Sequence, residues 1–152
     1  MSRIDEEVAA VQERLDALLD AVEEEAQEAI APFQKEAERI RNSKRRTTEW
    51  FKYFPHVYLQ EKGDGTTRLH IVWREVKWVP DPENPGRNKL LSNHVRKNRD
   101  GQYTIGSFRK AGPEEKAWIQ STLQDMEKPM ATMRLVGSIR KSIANTMRKY
   151  RK

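Results

Sequence analysis

An apolar stripe with the spacing of an α-helix runs through the N-terminal part of the chain, and it constrains the fold more than any other feature. Successive members lie three or four residues apart, so they share one helical face. From Leu15 onward the steps follow an 11-residue repeat, which favours a nearly straight or slightly right-handed coil over a left-handed one. Ser2 can cap this helix, and Pro32 is expected to kink or split it. The stripe is narrow, so the helix needs a partner in the same chain or in a second copy. Its members are Ile4, Val8, Val11, Leu15, Leu18, Val22, Ala26, Ala29, Phe33, Ala37 and Ile40.

A second stripe of the same kind lies near the C-terminus. Pro113 suits the first turn of a helix because it has no amide hydrogen, and Glu114 and Glu115 follow where the helix dipole favours acids. The pattern predicts a long C-terminal helix with a kink at Pro129. The apolar members are Ile119, Leu123, Met126, Met130, Met133, Val136, Ile139, Ile143 and Met147.

Strand and turn signals occupy the region between the two stripes. Residues 56–61 and 68–79 have the composition of strands, and the sequence KGDGTT at residues 62–67 indicates a hairpin between them. Apolar residues occur on both faces of the second strand, which indicates a bulge near Arg74 or burial on both sides. Residues 102–108 are predicted as a third strand.

These elements predict an α+β fold. It consists of a long N-terminal helix, a small antiparallel sheet of about three strands and a long kinked C-terminal helix. We divide the chain into an acidic N-terminal helix that mediates association, residues 1–46, and a basic α+β domain, residues 47–152.

The charge distribution separates the N-terminal helix from the rest of the chain. Residues 1–38 contain three Lys or Arg and twelve Asp or Glu, whereas residues 39–152 contain 26 and 11. The acidic helix can dimerise, pack against the basic C-terminal helix, or mimic DNA; apolar stripes favour the two packing interpretations. We therefore expect a homodimer, and the residues assigned to association are Val8, Val11, Leu15, Leu18 and Val22.

The basic centre of the chain indicates a nucleic-acid partner. Residues 39–111 contain 17 Lys or Arg and seven Asp or Glu, interleaved with aromatic residues. Cations bind phosphate with release of condensed counterions. The alternative is that the aromatic residues form the core of a small sheet and the cations only keep it soluble. The aromatic residues are expected to serve mainly that core. Within this region residues 88–101 form a basic, Asn-rich stretch.

The predicted DNA contacts fall into two sets. The cations assigned to phosphate are Arg45, Arg46, Lys89, Arg96, Lys97, Arg99, Arg109 and Lys110. The residues assigned to bases or sugars are Asn93, His94 and Asn98, because amide and imidazole groups can read base edges.

Composition also indicates the cellular compartment in which the protein is expected. The chain contains no cysteine, so it forms no disulfide or thiolate metal site, which fits a reducing environment. It shows no signal-peptide pattern, and no apolar run approaches the roughly 20 residues that span a bilayer. We expect a cytoplasmic protein.

No catalytic motif has a good position in this sequence. The P-loop, nucleophile-elbow and HExxH patterns are absent, and His56, His70 and His94 share no metal-ligand spacing. The EVK sequence at residues 75–77, with Asp64 upstream, matches a metal-dependent nuclease only weakly, because such a pattern is common by chance and Asp64 suits a turn. We expect no enzymatic activity, no metal and no cofactor.

The order of segments over roughly residues 50–140 resembles a known family. The strand RLHIVWREVKWV at residues 68–79 is followed by a basic stretch, by YTIGSF at residues 103–108, and by a helix containing Trp118, Glu127, Met133 and Arg134. This order is similar to that of MobI-type conjugative transfer proteins of integrative elements and large plasmids. The resemblance implies a DNA-binding accessory protein that acts at the transfer origin and helps a separate relaxase. The competing hypothesis is a coiled-coil interaction or adaptor protein with incidental affinity for nucleic acid.

Overall fold

The computed structural model describes residues 2–63 and 66–151, and in chain order a long helix precedes three strands and a second long helix follows them. The predicted α+β fold is therefore confirmed. Short 3₁₀ turns cover Thr47–Glu49 and Ile105–Ser107. The helices and strands are α1 (Arg3–Ser43), β1 (Tyr53–Glu61), β2 (Thr67–Pro80), β3 (Asn88–His94) and α2 (Pro113–Tyr150).

Both helices begin where their capping residues predict. The Ser2 hydroxyl accepts a hydrogen bond from the Asp5 amide at 3.1 Å, and α2 begins at Pro113. Helix α1 continues through Pro32 and α2 continues through Pro129, so neither proline splits its helix. Burial of the apolar stripe on both sides of each proline compensates for the lost backbone hydrogen bond.

The sheet has the order β1–β2–β3. The two strands predicted at residues 56–61 and 68–79 are confirmed, and each is a few residues longer than predicted. The Lys62 amide donates to the Thr66 carbonyl at 2.8 Å, which closes the predicted hairpin; Asp64 and Gly65 lie outside the described residues. In β2 the buried side chains change from odd to even positions between Trp73 and Val76, as the apolar pattern predicts.

The third strand does not lie where the sequence predicts it. The prediction of a strand at residues 102–108 is wrong, because Ile105–Ser107 forms a 3₁₀ turn. Its backbone is held locally: the Ser107 amide donates to the Thr104 carbonyl at 2.9 Å, and the Thr104 amide donates to the Ser107 hydroxyl. The third strand is β3, which occupies the first half of the basic, Asn-rich stretch. This segment is a strand because its backbone pairs with β2, and not because its own sequence alternates between apolar and polar residues.

The chain divides into two compact units, and both helices and strands β1 and β2 contribute to each. Unit 1 consists of the described residues of Met1–Gln27, Val57–His70 and Glu127–Lys152. Unit 2 consists of Glu28–His56 and Ile71–Met126. The division predicted after residue 46 stays a prediction.

In unit 1 the acidic part of α1 lies antiparallel to the basic part of α2. Three ion pairs join the helices: Asp5–Arg151 at 2.9 Å, Asp16–Arg140, and Glu25–Lys128 at 3.6 Å. The Arg140 guanidinium also donates to the Gln12 side chain at 3.0 Å and to the Thr67 carbonyl. The acidic helix therefore finds its basic partner within the same chain, which is one of the packing arrangements considered from the sequence.

The residues assigned to association separate into two groups. Leu15 and Val22 are buried within unit 1 and Val8 is half-buried, whereas Val11 and Leu18 are 42% and 39% exposed. The helix buries Leu19 instead of Leu18, together with Ala26 of the predicted stripe, so the stripe that faces the chain's own core is rotated slightly from the predicted one. Association itself stays a prediction.

Unit 2 is built around an aromatic core. Phe33, Trp73 and Phe108 are each 1% exposed or less. The Trp73 ring meets Phe33 edge-on at a centroid distance of 5.2 Å and Phe108 at 5.0 Å. Such edge-to-face contacts add to the free energy gained from burial. This core fixes β2 against α1.

Among the described residues, no helix combines the length and the apolar content needed to cross a membrane.

Candidate nucleic-acid interface

Strands β2 and β3 form a two-stranded ribbon in unit 2, in which Arg74–Pro80 pairs antiparallel with Asn88–His94. Because side chains alternate along a strand and directly paired residues point the same way, the ribbon has two distinct faces. One face contains Val76, which is 5% exposed, and is therefore packed against the unit. The opposite face, which we call the open face, consists of Glu75, Lys77, Val79, Lys89, Leu91 and Asn93. Every residue of β3 is exposed.

The loop between the two strands fixes their register. The Asp81 amide donates to the Arg87 carbonyl at 2.9 Å, and the Asp81 carboxylate accepts from the Glu83 amide and the Asn84 side chain at 3.0 and 2.9 Å. These hydrogen bonds lower the pKa of Asp81. Gly86 adopts a φ of 84°, which favours glycine. Because this loop is held by its own side chains, Asn88–His94 pairs with β2 without a slip that would exchange the two faces.

An ion pair brings a predicted cation to the open face. The Lys110 ammonium lies 2.6 Å from the carboxylate of Glu75, which pairs with Asn93 in the ladder. This hydrogen bond to the Glu75 carboxylate raises the pKa of Lys110. The Lys52 ammonium donates to the main-chain carbonyl of Lys110 at 3.1 Å, so a second lysine lies close to this residue. Lys110 and Asn93, predicted separately from the sequence, therefore lie on one surface.

The segment that follows β3 displays three of the predicted cations. Arg96, Lys97 and Arg99 are exposed, and the Lys97 ammonium lies 5.5 Å from the ring centroid of Tyr103. The Tyr103 hydroxyl accepts a hydrogen bond from the Trp73 amide at 3.2 Å, which anchors this ring to the core. Burial raises the pKa of Tyr103, so the ring stays neutral.

Asn98 has a structural task in the same segment. Its side-chain oxygen accepts hydrogen bonds from the amides of Asp100 and Gln102 at 3.0 and 2.9 Å. These contacts form an Asx turn, which is a common role of asparagine before a glycine-containing turn. The side-chain oxygen of Asn98, a residue assigned to bases or sugars, is thus already engaged in the turn.

The remaining predicted residues are less closely grouped. His94 pairs with Arg74 in the ladder and lies with it on the packed face of the ribbon, whereas Asn93 lies on the open face. Arg45 and Arg46 are exposed between α1 and the first 3₁₀ turn, and Arg109 is exposed next to buried Phe108.

Sequence reasoning missed one cation of the open face and one cation near it. Lys77 lies on the open face, and strand alternation from Glu75 already placed it beside that residue. Lys52 donates a hydrogen bond to the main-chain carbonyl of Lys110. No local sequence signal could have predicted this contact, because the two residues are far apart in sequence.

The weak nuclease pattern lies only partly within the described residues. Glu75 is paired with Lys110, and Asp64 lies outside the described residues. Among residues 2–63 and 66–151, no group of three or more His, Cys, Asp or Glu could hold a metal ion.

Comparison with known proteins identifies one family. A family model described as "MobI protein" matches residues 22–148, which include all three strands and most of both long helices. No curated protein and no solved structure matches the chain.

Proposed function

The chain belongs to the MobI family, which indicates a role in conjugative mobilisation, and we propose that it fulfils this role as a DNA-binding protein without catalytic activity. In this proposal it acts at the transfer origin and assists a separate relaxase, or another conjugation protein, that carries out the chemistry. The protein works in the cytoplasm, where the transferred DNA is prepared.

The observation that carries the proposal is the basic open face of the ribbon. Lys77 and Lys89 lie on it, Lys110 reaches it through Glu75, and Arg96 and Arg99 follow directly after β3. Exposed cations in this number attract a phosphate backbone, and binding releases the counterions condensed on DNA. The exposed pair between Lys110 and Glu75 contributes little to stability, so phosphate can compete for Lys110.

The shape of the ribbon suits duplex DNA. The major groove is about 12 Å wide and admits a two-stranded antiparallel ribbon. Asn93 stands on the open face among the cations, and its amide has the donor and acceptor pair that recognises adenine. Leu91, 51% exposed on the same face, is suited to contact a thymine methyl group. Phosphate contacts position the ribbon, and these two side chains supply the sequence preference.

A second copy of the chain completes the proposed assembly. Ile4, Val11 and Leu18 are 45%, 42% and 39% exposed and lie seven residues apart on α1. A seven-residue repeat is the spacing of a helical seam, and apolar side chains on such a seam are buried when two helices associate. A dimer would present two ribbons to two half-sites.

Charge reversal on the open face tests the DNA-binding proposal. The double variant Lys77→Glu, Lys89→Glu should weaken binding to transfer-origin duplex at least about tenfold. It should also lower the slope of log K against log salt by about 1 for each phosphate that the protein no longer neutralises. The matched control is Lys116→Glu, Lys149→Glu, which makes the same charge change at exposed positions of α2. Equal weakening in both variants would mean that net charge and not the open face is responsible. Absence of duplex binding by the unaltered protein would overturn the proposal and favour the adaptor hypothesis.

A further inference from the structure

A groove lined by tryptophan lies in unit 2, apart from the open face. Trp50 and Trp78 meet edge-on at a centroid distance of 5.1 Å, and the groove beside them has a volume of about 170 Å³. Its walls and rim include Gln34, Glu38, Arg41, Trp50, Phe54 and Trp78.

The two tryptophans are more exposed than the central aromatic residues of the unit. Trp73 and Phe108 are buried to 1% exposure or less, whereas Trp50 and Trp78 remain half-buried. The Trp50 indole N–H donates to the Lys44 carbonyl at 2.9 Å, which fixes the orientation of that ring. The groove is therefore built of held rings that keep part of their surface open to solvent.

The volume limits what can enter. Pockets for drug-sized ligands and cofactors measure roughly 300–1,000 Å³, which is larger than the 170 Å³ found here. One planar ring system fits this space, and it can stack on the exposed indole surface.

The rim supplies hydrogen-bonding groups for the edge of such a ring. Gln34 and Glu38 offer acceptor oxygens, and Arg41 offers donors while its guanidinium carbon lies 5.7 Å from the Trp78 ring centroid. A carboxylate repels phosphate, so Glu38 disfavours a backbone phosphate inside the groove and leaves it to an uncharged ring.

The surrounding charge indicates where that base comes from. The basic segment, residues 39–46, contains five Lys or Arg and no acid, and it supplies both Arg41 at the rim and Lys44 on Trp50. This charge is complementary to a phosphate chain and not to an ordinary peptide. A base offers its π-face and its pairing edge together only when it is unpaired.

We propose that this groove binds an unpaired nucleobase of single-stranded DNA, with the basic segment holding the flanking phosphates. The inference rests on the proposed function in taking DNA as the ligand, and it adds a preference for a locally opened strand. The protein would thus hold duplex DNA on the open face and one unpaired base in the groove.

Binding of a short labelled single strand and of the matching duplex to the full-length protein tests this. Trp78→Leu should weaken single-strand binding about 5- to 150-fold, the range expected for loss of one base–aromatic stack. Duplex binding should change less than about twofold. Trp78→Phe keeps a stacking ring and should retain most of the single-strand affinity. Trp118→Phe, a half-buried tryptophan of unit 2 outside the groove, is the matched control.

The outcomes separate this inference from the proposed function. A folded Trp78→Leu protein with unchanged single-strand affinity overturns the groove assignment, even if duplex binding is intact. If Trp78→Leu does not fold, exposed Arg41→Ala replaces it and should weaken single-strand binding at least about threefold. Quenching of tryptophan fluorescence by N-acetylphenylalaninamide, but not by the single strand, would assign the groove to a protein partner and overturn the inference. Failure of the proposed function shows instead as absence of duplex binding by the unaltered protein.

Discussion

At the scale of single residues, Glu115 is a buried carboxyl group whose pKa is raised well above its usual value. It lies in the first turn of α2, is 4% exposed, and accepts hydrogen bonds from the amides of Lys52 and Tyr53 at 2.7 and 2.9 Å. Burial raises the pKa of Glu115 from 4.5 to about 7, because the two hydrogen bonds offset only part of the desolvation. The residue ties the start of β1 to the start of α2.

This raised pKa predicts a particular dependence of stability on pH. Between pH 4.5 and about 7 the folded protein keeps a proton on Glu115 that the unfolded chain releases. Unfolding therefore releases a proton, and the free energy of unfolding falls by about 3 kcal/mol as the pH rises through this window. Glu115→Gln offers an oxygen to the same two amides but does not titrate, so its stability should lack this decrease.

Urea unfolding at about pH 5 and about pH 8 measures the effect. Glu114→Gln removes an exposed carboxylate from the neighbouring position and should behave like the unaltered protein. Identical pH dependence in the Glu115→Gln and unaltered proteins would contradict the assignment.

At the scale of elements, the loop of the ribbon decides whether the open face forms. Gly86 has a φ of 84° and nothing within 4 Å of the position where a Cβ would lie, so a substitution there meets backbone strain and no clash. Gly137 lies in exposed helical backbone of α2, also in open space, where glycine is only an entropic cost.

The same substitution should therefore have opposite effects at these two glycines. Gly86→Ala should destabilise the protein by about 1–2 kcal/mol, since a residue with a Cβ is strained at that φ. Gly137→Ala should stabilise it by about 1 kcal/mol. Thermal unfolding should show shifts of roughly 2–4 °C per kcal/mol in opposite directions. Shifts of the same sign would show that the φ of Gly86 is not required.

At the scale of the whole molecule, α1 carries two apolar stripes that differ in burial. One stripe, with Leu15 and Val22, is buried in the chain's own core. The other, with Ile4, Val11 and Leu18, remains exposed. The family match begins at residue 22, so the exposed stripe lies wholly outside it.

The proposed dimer predicts distinct effects for the two stripes. Val11→Gln, Leu18→Gln should convert a dimer into a folded monomer, because both side chains are exposed in the single chain. Leu15→Gln, which buries an amide without a partner, should instead destabilise the fold by roughly 2–4 kcal/mol. Size-exclusion chromatography with light scattering gives the mass, and circular dichroism gives the fold. A monomeric unaltered protein would refute the dimer.

Local sequence signals predicted the long elements of this fold because those signals lie within each element. The apolar period of α1, the proline at the start of α2 and the KGDGTT turn before β2 each depend on neighbouring residues alone. The charge divide also predicted that acidic α1 could pair with basic α2, and the pair between Asp5 and Arg151 shows this contact. The sequence also predicted which region of the chain is basic, but only the structure shows which of its residues share one surface.

Tertiary structure alone decided the rest, because it depends on residues that are distant in sequence. β3 forms because β2 offers it an edge, and the ladder then separates Asn93 from His94 onto opposite faces. Lys110 reaches the open face only through Glu75, and Trp78 becomes a groove wall only because Trp50 packs against it. Sequence determined the two long helices and the strands of the first hairpin, through local periodicity, capping and turn residues. Packing determined which side of each segment stays available to a ligand, since burial is a property of the assembled chain.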